Sequence, residues 1–288
     1  MLRVIKQVTP LAAALASLAL AGCGGSRAAV STKAVTITPA AGRRAPAVAA
    51  RRAVPTLVPP ASSGARSVHV PVLTYHRVAS LPAVGQLDLI VDPASFAAEL
   101  ATLHGRGYHT ISQAQLFDSL YHGAPLPAKP IMISVDDGYI DDVRTILPEL
   151  ERWHMVATFF VITGRTRESG FVDGAQIRAL DRAGMDVGDH TAHHVDLRLL
   201  TPSELRSETS GSRHVLDAIL GHPVYFFAYP FGAYDDTVIK AVRGAGFTIA
   251  YTTAGGVTES TTSPLTMPRI HVSRGETPRG LVSLLGGA

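Results

Sequence analysis

Asp136 and Asp137 are adjacent carboxylates that follow a run of five strand-forming residues, 131–135, and precede Gly138. A buried strand that ends in such a pair delivers both acids to the edge of a sheet, where a binding site can form. Neighbouring carboxylates repel each other unless a positive group lies between or beside them. The pattern therefore predicts that a cation accompanies this pair.

His190 and His194, about fifty residues later, are the predicted source of metal ligands. If one helical turn carries them, their spacing places both imidazoles on one side, which suits zinc or a similar ion. His193, three positions after His190, is an alternative partner, and a histidine-rich surface turn is the interpretation without a metal. We expect both histidines to meet Asp136 and Asp137 around a divalent ion.

Two histidines and one carboxylate would leave coordination positions open for water and substrate. A bound ion lowers the pKa of water and polarises a carbonyl oxygen, and a second carboxylate nearby can accept the proton of that water. Such a set hydrolyses an ester or an amide without a covalent intermediate. Taken alone, the Asp-Asp-Gly sequence could instead be a helix N-cap with a turn glycine.

The N-terminus has the pattern of an exported protein. Arg3 and Lys6 precede an apolar run at 11–20 that is too short to span a bilayer. Small residues then lead to Cys23, the only cysteine in the chain, which resembles the lipidated cysteine of bacterial lipoproteins. We expect residues 1–22 to be a signal peptide and Cys23 to anchor the protein to a membrane, facing outward. A plain secretory signal is the alternative.

Residues 23–66 are rich in alanine, proline, glycine and serine and have no hydrophobic periodicity, so we predict a flexible linker. The first 66 residues carry nine Lys and Arg and no acid, whereas the rest carry 17 Lys and Arg against 23 Asp and Glu. The positive net charge therefore belongs to the tether, and it does not indicate a nucleic-acid partner. We predict one catalytic domain at 67–288, acting as a monomer.

Strands and helices alternate from residue 70 onward. Seven or eight short apolar strands with helices between them predict parallel βαβ units. The residues whose side chains could take part in chemistry follow the ends of strands distributed over the whole predicted sheet. This distribution favours a barrel over an open doubly wound sheet. These residues are Tyr75, His76, Asp136, Asp137, His190, Pro230, Phe231, Gly232 and His271.

Two longer helices are predicted. One begins near Asp141 and runs to about Arg152, with the carboxylates of Asp141 and Asp142 placed to interact with the helix dipole in its first turn. The other begins at Thr201, followed by proline and a capping glutamate, and runs to about Leu220.

These motifs, in this order, resemble those of polysaccharide deacetylases of the NodB-homology type, carbohydrate esterase family 4. Residues 134–139 match the first motif of that family, usually Thr-Phe-Asp-Asp-Gly, and residues 190–194 match its second, His-Ser/Thr-x-x-His. Residues 226–232 resemble the third motif, which ends in Pro-Tyr/Phe-Gly. The resemblance extends over about residues 68–275.

The resemblance implies a distorted (β/α)7 barrel and a divalent ion, usually zinc (Zn²⁺), with Co²⁺, Ni²⁺ or Mn²⁺ as other candidates. It implies that Asp136 is the general base and that Asp137, His190 and His194 hold the metal. The residues implied for substrate binding are Tyr139, whose backbone N–H would hold the oxyanion, and Pro230, Phe231 and Gly232 along the groove.

Three departures from the family pattern affect the site. The third motif usually begins with an arginine that holds the catalytic aspartate, but Ala228 occupies that position. We expect Arg269 to supply this charge from another strand. The fourth motif, built around Asp and Trp, has no counterpart, since the only tryptophan, Trp153, lies earlier, near a predicted helix end. The general acid is usually a late histidine, for which His271 is the candidate, in surroundings that differ from the family's common fifth motif, and His76 is the reserve. A packed or hydrogen-bonded strand histidine is the other interpretation of His271.

The expected function is therefore metal-dependent removal of N-acetyl groups from a polysaccharide that contains N-acetylglucosamine. Peptidoglycan, poly-N-acetylglucosamine and chitin-like polymers are candidates. Three alternatives stay open: O-deacetylation of a polymer such as xylan, hydrolysis of an unrelated substrate, and a lipoprotein that binds polysaccharide without hydrolysing it. The missing arginine at position 228 favours the last of these.

Overall fold

The computed structural model describes residues 55–61, 64–80 and 87–286. The predicted signal peptide, Cys23 and most of the predicted linker lie outside the described residues, so those interpretations stay predictions. Among the described residues, no helix has both the length and the apolar character needed to cross a membrane.

From Ser67 to Leu284 the described chain is an alternation of short strands and helices. The strands are β1 (Ser67–His69), β2 (Val72–Tyr75), β3 (Arg77–Val78), β4 (Ile90–Val91), β5 (His109–Thr110), β6 (Pro130–Val135), β7 (Thr158–Val161), β8 (Asp186–Asp189), β9 (Phe226–Ala228), β10 (Ile249–Tyr251), β11 (Thr258–Ser260) and β12 (Ile270–His271). The α-helices are α1 (Pro93–Gly105), α2 (Gln113–His122), α3 (Leu147–Arg152), α4 (Gly174–Arg182), α5 (Pro202–Arg206), α6 (Ser212–Leu220), α7 (Asp236–Gly244) and α8 (Pro278–Leu284).

Seven strands form the central parallel sheet, in the order β10-β9-β8-β7-β6-β2-β12. Strand β5 adds to the start of β6 beside this path. The sheet curls until its two edges meet, because Tyr251 at the end of β10 forms a bridge to Met267, just before β12. The predicted distorted (β/α)7 barrel is confirmed.

Alternate residues of each barrel strand face opposite sides, as β-pleating requires. On β6, Ile131, Ile133 and Val135 pack outward against the helices, whereas Met132 faces the barrel interior. Larger side chains fill that interior, and they are Phe160, Phe226, Ile249 and Tyr251. A Cβ at Gly188 would overlap the ring of Phe160, so a side chain at this position is incompatible with the packed interior.

The predicted extents of both long helices are confirmed, but a π-helical turn interrupts each of them. A π-helix over Asp142–Ile146 precedes α3, and another over Ser207–Gly211 separates α5 from α6. The extra residue in a π-turn changes which side chains face inward, and such turns are frequent at functional sites. Asp141 forms an ion pair with Arg77 at 2.8 Å, so it does more than interact with a helix dipole.

Candidate active site

The predicted site residues converge at one end of the barrel. Because all seven barrel strands are parallel, their C-terminal ends lie at the same rim, where sites form in barrels of this kind. A pocket of about 570 Å³ opens there. Its lining includes His76, Asp136, Asp137, His194, Phe231 and His271.

Arg269 is the residue that holds Asp136. Its Nη1 and Nη2 donate to the two carboxylate oxygens of Asp136 at 2.8 and 2.7 Å, and both side chains are almost fully buried. The Nε of Arg269 donates to the carbonyl oxygen of Thr252 at 3.1 Å, and Nη1 also lies 3.3 Å from Oγ of Ser134. Every nitrogen of this guanidinium is therefore engaged.

The interior of the barrel supports this arginine from below. The guanidinium lies over the rings of Phe160 and Tyr251, 5.6 and 5.8 Å from their centroids. Burial alone would raise the pKa of Asp136, but Arg269 and then His190 act in the opposite direction and hold the pKa well below its usual range. Asp136 is thus an ionised, oriented carboxylate at neutral pH.

Asp137, His190 and His194 form the candidate metal site. One carboxylate oxygen of Asp137 lies 3.6 Å from Nε2 of each histidine, and the three ligand atoms are all within 4.8 Å of one another. Nδ1 of His190 lies 2.7 Å from the carbonyl oxygen of Ala228, so this nitrogen donates its proton there. The lone pair of Nε2 is then directed at the site, as metal-ligating histidines require.

The protonation states of these side chains fit a divalent cation. Burial lowers the pKa of His190 to about 3 and also lowers that of His194, so both imidazoles are neutral near pH 7. Burial, and then repulsion from Asp136, raise the pKa of Asp137 to about 7. Two neutral nitrogens and a carboxylate that forms no ion pair with a described Lys or Arg are the donor set that zinc and similar ions prefer.

The predicted helical turn between His190 and His194 is wrong, although the two imidazoles do meet. The segment bends instead, with Thr191 and His194 at positive φ values of 67° and 54°. Asp189 fixes the bend by accepting from the N–H of Thr191 at 2.7 Å, and Oγ1 of Thr191 accepts from the N–H of His194 at 2.9 Å.

His193, the alternative partner of His190, has a different contact. Its Nδ1 lies 2.6 Å from Oε1 of Glu208, and its backbone N–H donates to Oε2 at 2.9 Å. Glu208 is a buried residue of the second π-turn. It holds the loop that carries both candidate ligands, and sequence reasoning missed it because nothing in its neighbourhood distinguishes it from other helix glutamates.

Of the Pro230–Gly232 turn, Phe231 lines the pocket. Phe231 has a positive φ of 60° and is 65% exposed, and its ring lies 4.6 Å from that of His194. Gly232 also has a positive φ, and a Cβ there would overlap the side chain of Thr253. The turn therefore presents an exposed aromatic ring beside the metal site, while Pro230 is buried beneath it.

Tyr139 also lines the pocket. Its ring stacks on that of Phe171 with a centroid distance of 4.7 Å, and Arg77 lies over its other side at 4.6 Å. Gly138, at a φ of 73°, turns the chain between Asp137 and this ring. Within the described residues, the backbone N–H of Tyr139 has no hydrogen-bond acceptor.

Both candidate acids reach the pocket. The rings of His76 and His271 meet edge to face with a centroid distance of 5.4 Å. His271 is exposed to solvent. His76 is partly buried, its Nδ1 has no partner in the described part of the chain, and burial lowers its pKa to about 4. Of the two, His271 is the one in open contact with solvent.

The domain is similar in sequence and structure to known deacetylases. The family model for polysaccharide deacetylase matches residues 123–250. YxkH of Bacillus subtilis (strain 168), which is classed with the polysaccharide deacetylases, is 28% identical over 206 residues, or 72% of this chain and 72% of YxkH.

Two solved structures resemble the domain closely. The Streptococcus pyogenes deacetylase PplD, in complex with acetate, has a TM-score of 0.72 and 27% identity over 76% of this chain and 99% of PplD. BC0361, a polysaccharide deacetylase from Bacillus cereus, has a TM-score of 0.69 and 28% identity over 76% of this chain and 69% of BC0361. With the barrel and the ordered motifs, these similarities identify residues 123–250 as a polysaccharide deacetylase domain that resembles the NodB-homology type.

Proposed function

We propose that this protein is a metal-dependent N-deacetylase of a polysaccharide that contains N-acetylglucosamine. The observation that carries the proposal is the division of labour between two adjacent carboxylates. Asp136 is bound to Arg269, whereas Asp137 faces the Nε2 atoms of His190 and His194. One carboxylate is thus available as a base beside a site built to hold a cation.

In the proposed reaction, Asp137, His190 and His194 hold the ion. When bound, a divalent ion acts as a Lewis acid toward the acetyl carbonyl and lowers the pKa of water. Asp136 takes a proton from the attacking water, and its orientation by Arg269 fixes the direction of that transfer. The N–H of Tyr139, which has no other acceptor in the described chain, donates to the developing oxyanion.

The leaving nitrogen must receive a proton as its bond to the acetyl carbon breaks. We assign this step to His271, which lines the pocket and is open to solvent. His76 lies beside it, but the lowered pKa of its imidazole makes it a poor carrier of a proton near pH 7. His76 therefore stays the reserve candidate.

The exposed ring of Phe231 supports a sugar substrate, because a flat apolar surface suits the face of a pyranose ring. The acetate in the PplD structure supports an acetyl group as the part that is hydrolysed. Zinc is the proposed ion, with Co²⁺, Ni²⁺ or Mn²⁺ as alternatives for this donor set.

The interpretation as a binding protein without activity is weakened by Arg269. That interpretation depended on the missing arginine at position 228, and the bidentate contact of Arg269 supplies the same charge from another strand. O-deacetylation remains the second candidate on the same residues, since the described site has no group that distinguishes an ester from an amide.

For the part of the chain before the catalytic domain, we propose cleavage after residue 22 and lipidation of Cys23, with residues 23–66 as a tether. A monomer would then face outward from a bacterial membrane in the cell envelope. Metabolic labelling with palmitate tests this proposal, because Cys23→Ala should abolish the label. Labelling of the variant equal to that of wild type would contradict it.

The activity is tested by acetate release from the full-length protein, freed of metal and supplied with each ion in turn. We expect release from N-acetylglucosamine oligomers with zinc and none with chelator. Release from acetylated xylan alone would favour the esterase. Binding of the oligomers without release by any ion would favour the binding protein.

A further inference from the structure

Two arginines of the described residues line the catalytic pocket, and their guanidinium groups differ in what they already bind. Arg269 is fully engaged by Asp136, Thr252 and Ser134. Arg165 uses only its Nε, which donates to Oε2 of Glu168 at 2.9 Å. Its two terminal nitrogens have no hydrogen-bond partner within the described ranges, so they are available to a ligand.

Aromatic stacking holds the guanidinium of Arg165 in place. It lies 3.7 Å above the ring of Phe171, which stacks on Tyr139 at 4.7 Å. Arg77 covers the far side of Tyr139 at 4.6 Å, and its own Nε is paired with Asp141. A cation that is held before a ligand binds loses less conformational entropy on binding.

The backbone fixes Arg165 relative to the metal site. The N–H of Thr163 donates to the carbonyl oxygen of Thr191 at 3.0 Å, and the N–H of Gly164 donates to that of Ala192 at 2.8 Å. Thr191 and Ala192 belong to the loop between the two candidate histidine ligands. Arg165 therefore follows directly on a segment that is bonded to the ligand loop, and it reaches the same pocket.

We propose that Arg165 binds an anionic group, a carboxylate or a phosphate, on the substrate beside the acetylated sugar. Two free terminal nitrogens in one plane match the paired oxygens of either anion. The substrate class is then an acetylated polysaccharide with acidic substituents rather than a neutral homopolymer. This inference rests on the proposed function and specifies its substrate.

A simple surface ion pair between Arg165 and Glu168 explains less of the geometry. Exposed pairs contribute little to stability, and they do not need a cation held over an aromatic stack. Arg167 offers the contrast within the same loop. It is exposed, it has no ion pair with any described residue, and it does not line the catalytic pocket.

The test compares kcat/KM on three tetrasaccharides: a neutral N-acetylglucosamine oligomer, one that alternates N-acetylglucosamine with a uronic acid, and one that carries a 6-phosphate. The measured quantity is the ratio of kcat/KM for each anionic substrate to that for the neutral one. We expect Arg165→Gln to lower this ratio about tenfold, Arg165→Lys to lower it less, and Arg167→Gln to leave it unchanged. The substrate whose ratio falls further identifies carboxylate or phosphate as the recognised group.

Equal losses on all three substrates, or wild-type protein that prefers the neutral oligomer, would overturn the inference. A binding measurement separates its failure from that of the proposed function. If no substrate is deacetylated but the anionic oligomers bind wild type about tenfold more tightly than Arg165→Gln, the anion site stands and the proposed activity fails. Equal binding by both proteins would overturn the anion site.

Discussion

Arg269 donates hydrogen bonds from Nη1 and Nη2 to the two carboxylate oxygens of Asp136, at 2.8 and 2.7 Å, although 133 residues separate the two along the chain. The contact is buried and charge-assisted, which makes it one of the stronger kinds of hydrogen bonding in a protein. It places the charge that the third motif lacks at Ala228, while the carbonyl of Ala228 accepts the proton of His190 instead. The orientation of Asp136 thus depends on the segment that carries Arg269, whereas the orientation of His190 depends on the segment that carries Ala228.

Replacing Arg269 with methionine should lower kcat/KM by at least about 100-fold, because Asp136 loses the partner that orients it. The change also leaves a buried carboxylate unpaired, which typically costs about 3–5 kcal/mol of stability. Acetate release and urea unfolding check the two effects. The more conservative Arg269→Lys keeps a charge and separates them: we expect better stability than for the methionine variant but activity still well below wild type.

Replacing Asp136 and replacing Asp137 should have different effects on zinc affinity and on kcat. Asp137→Asn should weaken zinc affinity roughly 100-fold or more, because one of three ligands is lost. Asp136→Asn should lower kcat by about 100- to 10,000-fold and leave zinc affinity near that of wild type. Calorimetric zinc titration and acetate release measure the split. If both variants lost metal to the same extent, the assignment of separate roles would be wrong.

His271→Ala should reduce kcat by about 100-fold or more while zinc affinity is unchanged, because it removes the proton donor to the leaving nitrogen. His76→Ala should have a smaller effect, since its imidazole is largely unprotonated near pH 7. The pH profile of kcat for each variant is the informative measurement. A His271→Ala enzyme with wild-type deacetylation would rule that residue out and leave His76 as the acid.

Glu259 gives a prediction about stability and pH. It is buried, neither carboxylate oxygen has a partner in the described chain, and burial raises its pKa from the usual 4.5 to about 9. Between these values the unfolded chain is ionised while the folded chain keeps its proton. The free energy of unfolding should therefore fall as pH rises through this range.

The variant Glu259→Gln removes that titration. Its stability relative to wild type should grow by roughly 4 kcal/mol between pH 5 and pH 8, measured by urea unfolding. Glu151→Gln, at an exposed position with no ion pair among the described residues, is the matched control and should show no such trend. Parallel pH profiles for wild type and Glu259→Gln would contradict the buried titration.

Much of the barrel could be predicted from local patterns. The apolar run before Asp136 predicts a strand from neighbouring residues alone, and the capping residues at Thr201 predict the start of a helix in the same way. The π-turns could not be predicted in this way. An inserted residue in a helix is set by what the helix packs against, such as Glu208 against the ligand loop.

The site residues also divide into those that a local sequence pattern predicts and those that depend on contacts in the folded chain. Asp136, Asp137, His190 and His194 form contiguous motifs, and the sequence predicted that they meet, although the bend at Thr191 replaces the expected helical turn. Arg165 was missed, because its position depends on stacking with a ring that is close only in the folded chain. Sequence spacing cannot report such a contact.

The closure of the barrel has a consequence for when the enzyme becomes active. Strand β2, near the start of the domain, pairs with β12, near its end, and Arg269 immediately precedes β12. A chain that has been synthesised only as far as β10 already contains Asp136 and all three candidate metal ligands, but nothing yet orients the base. The proposed base therefore gains its buried cationic partner only when the last strand docks.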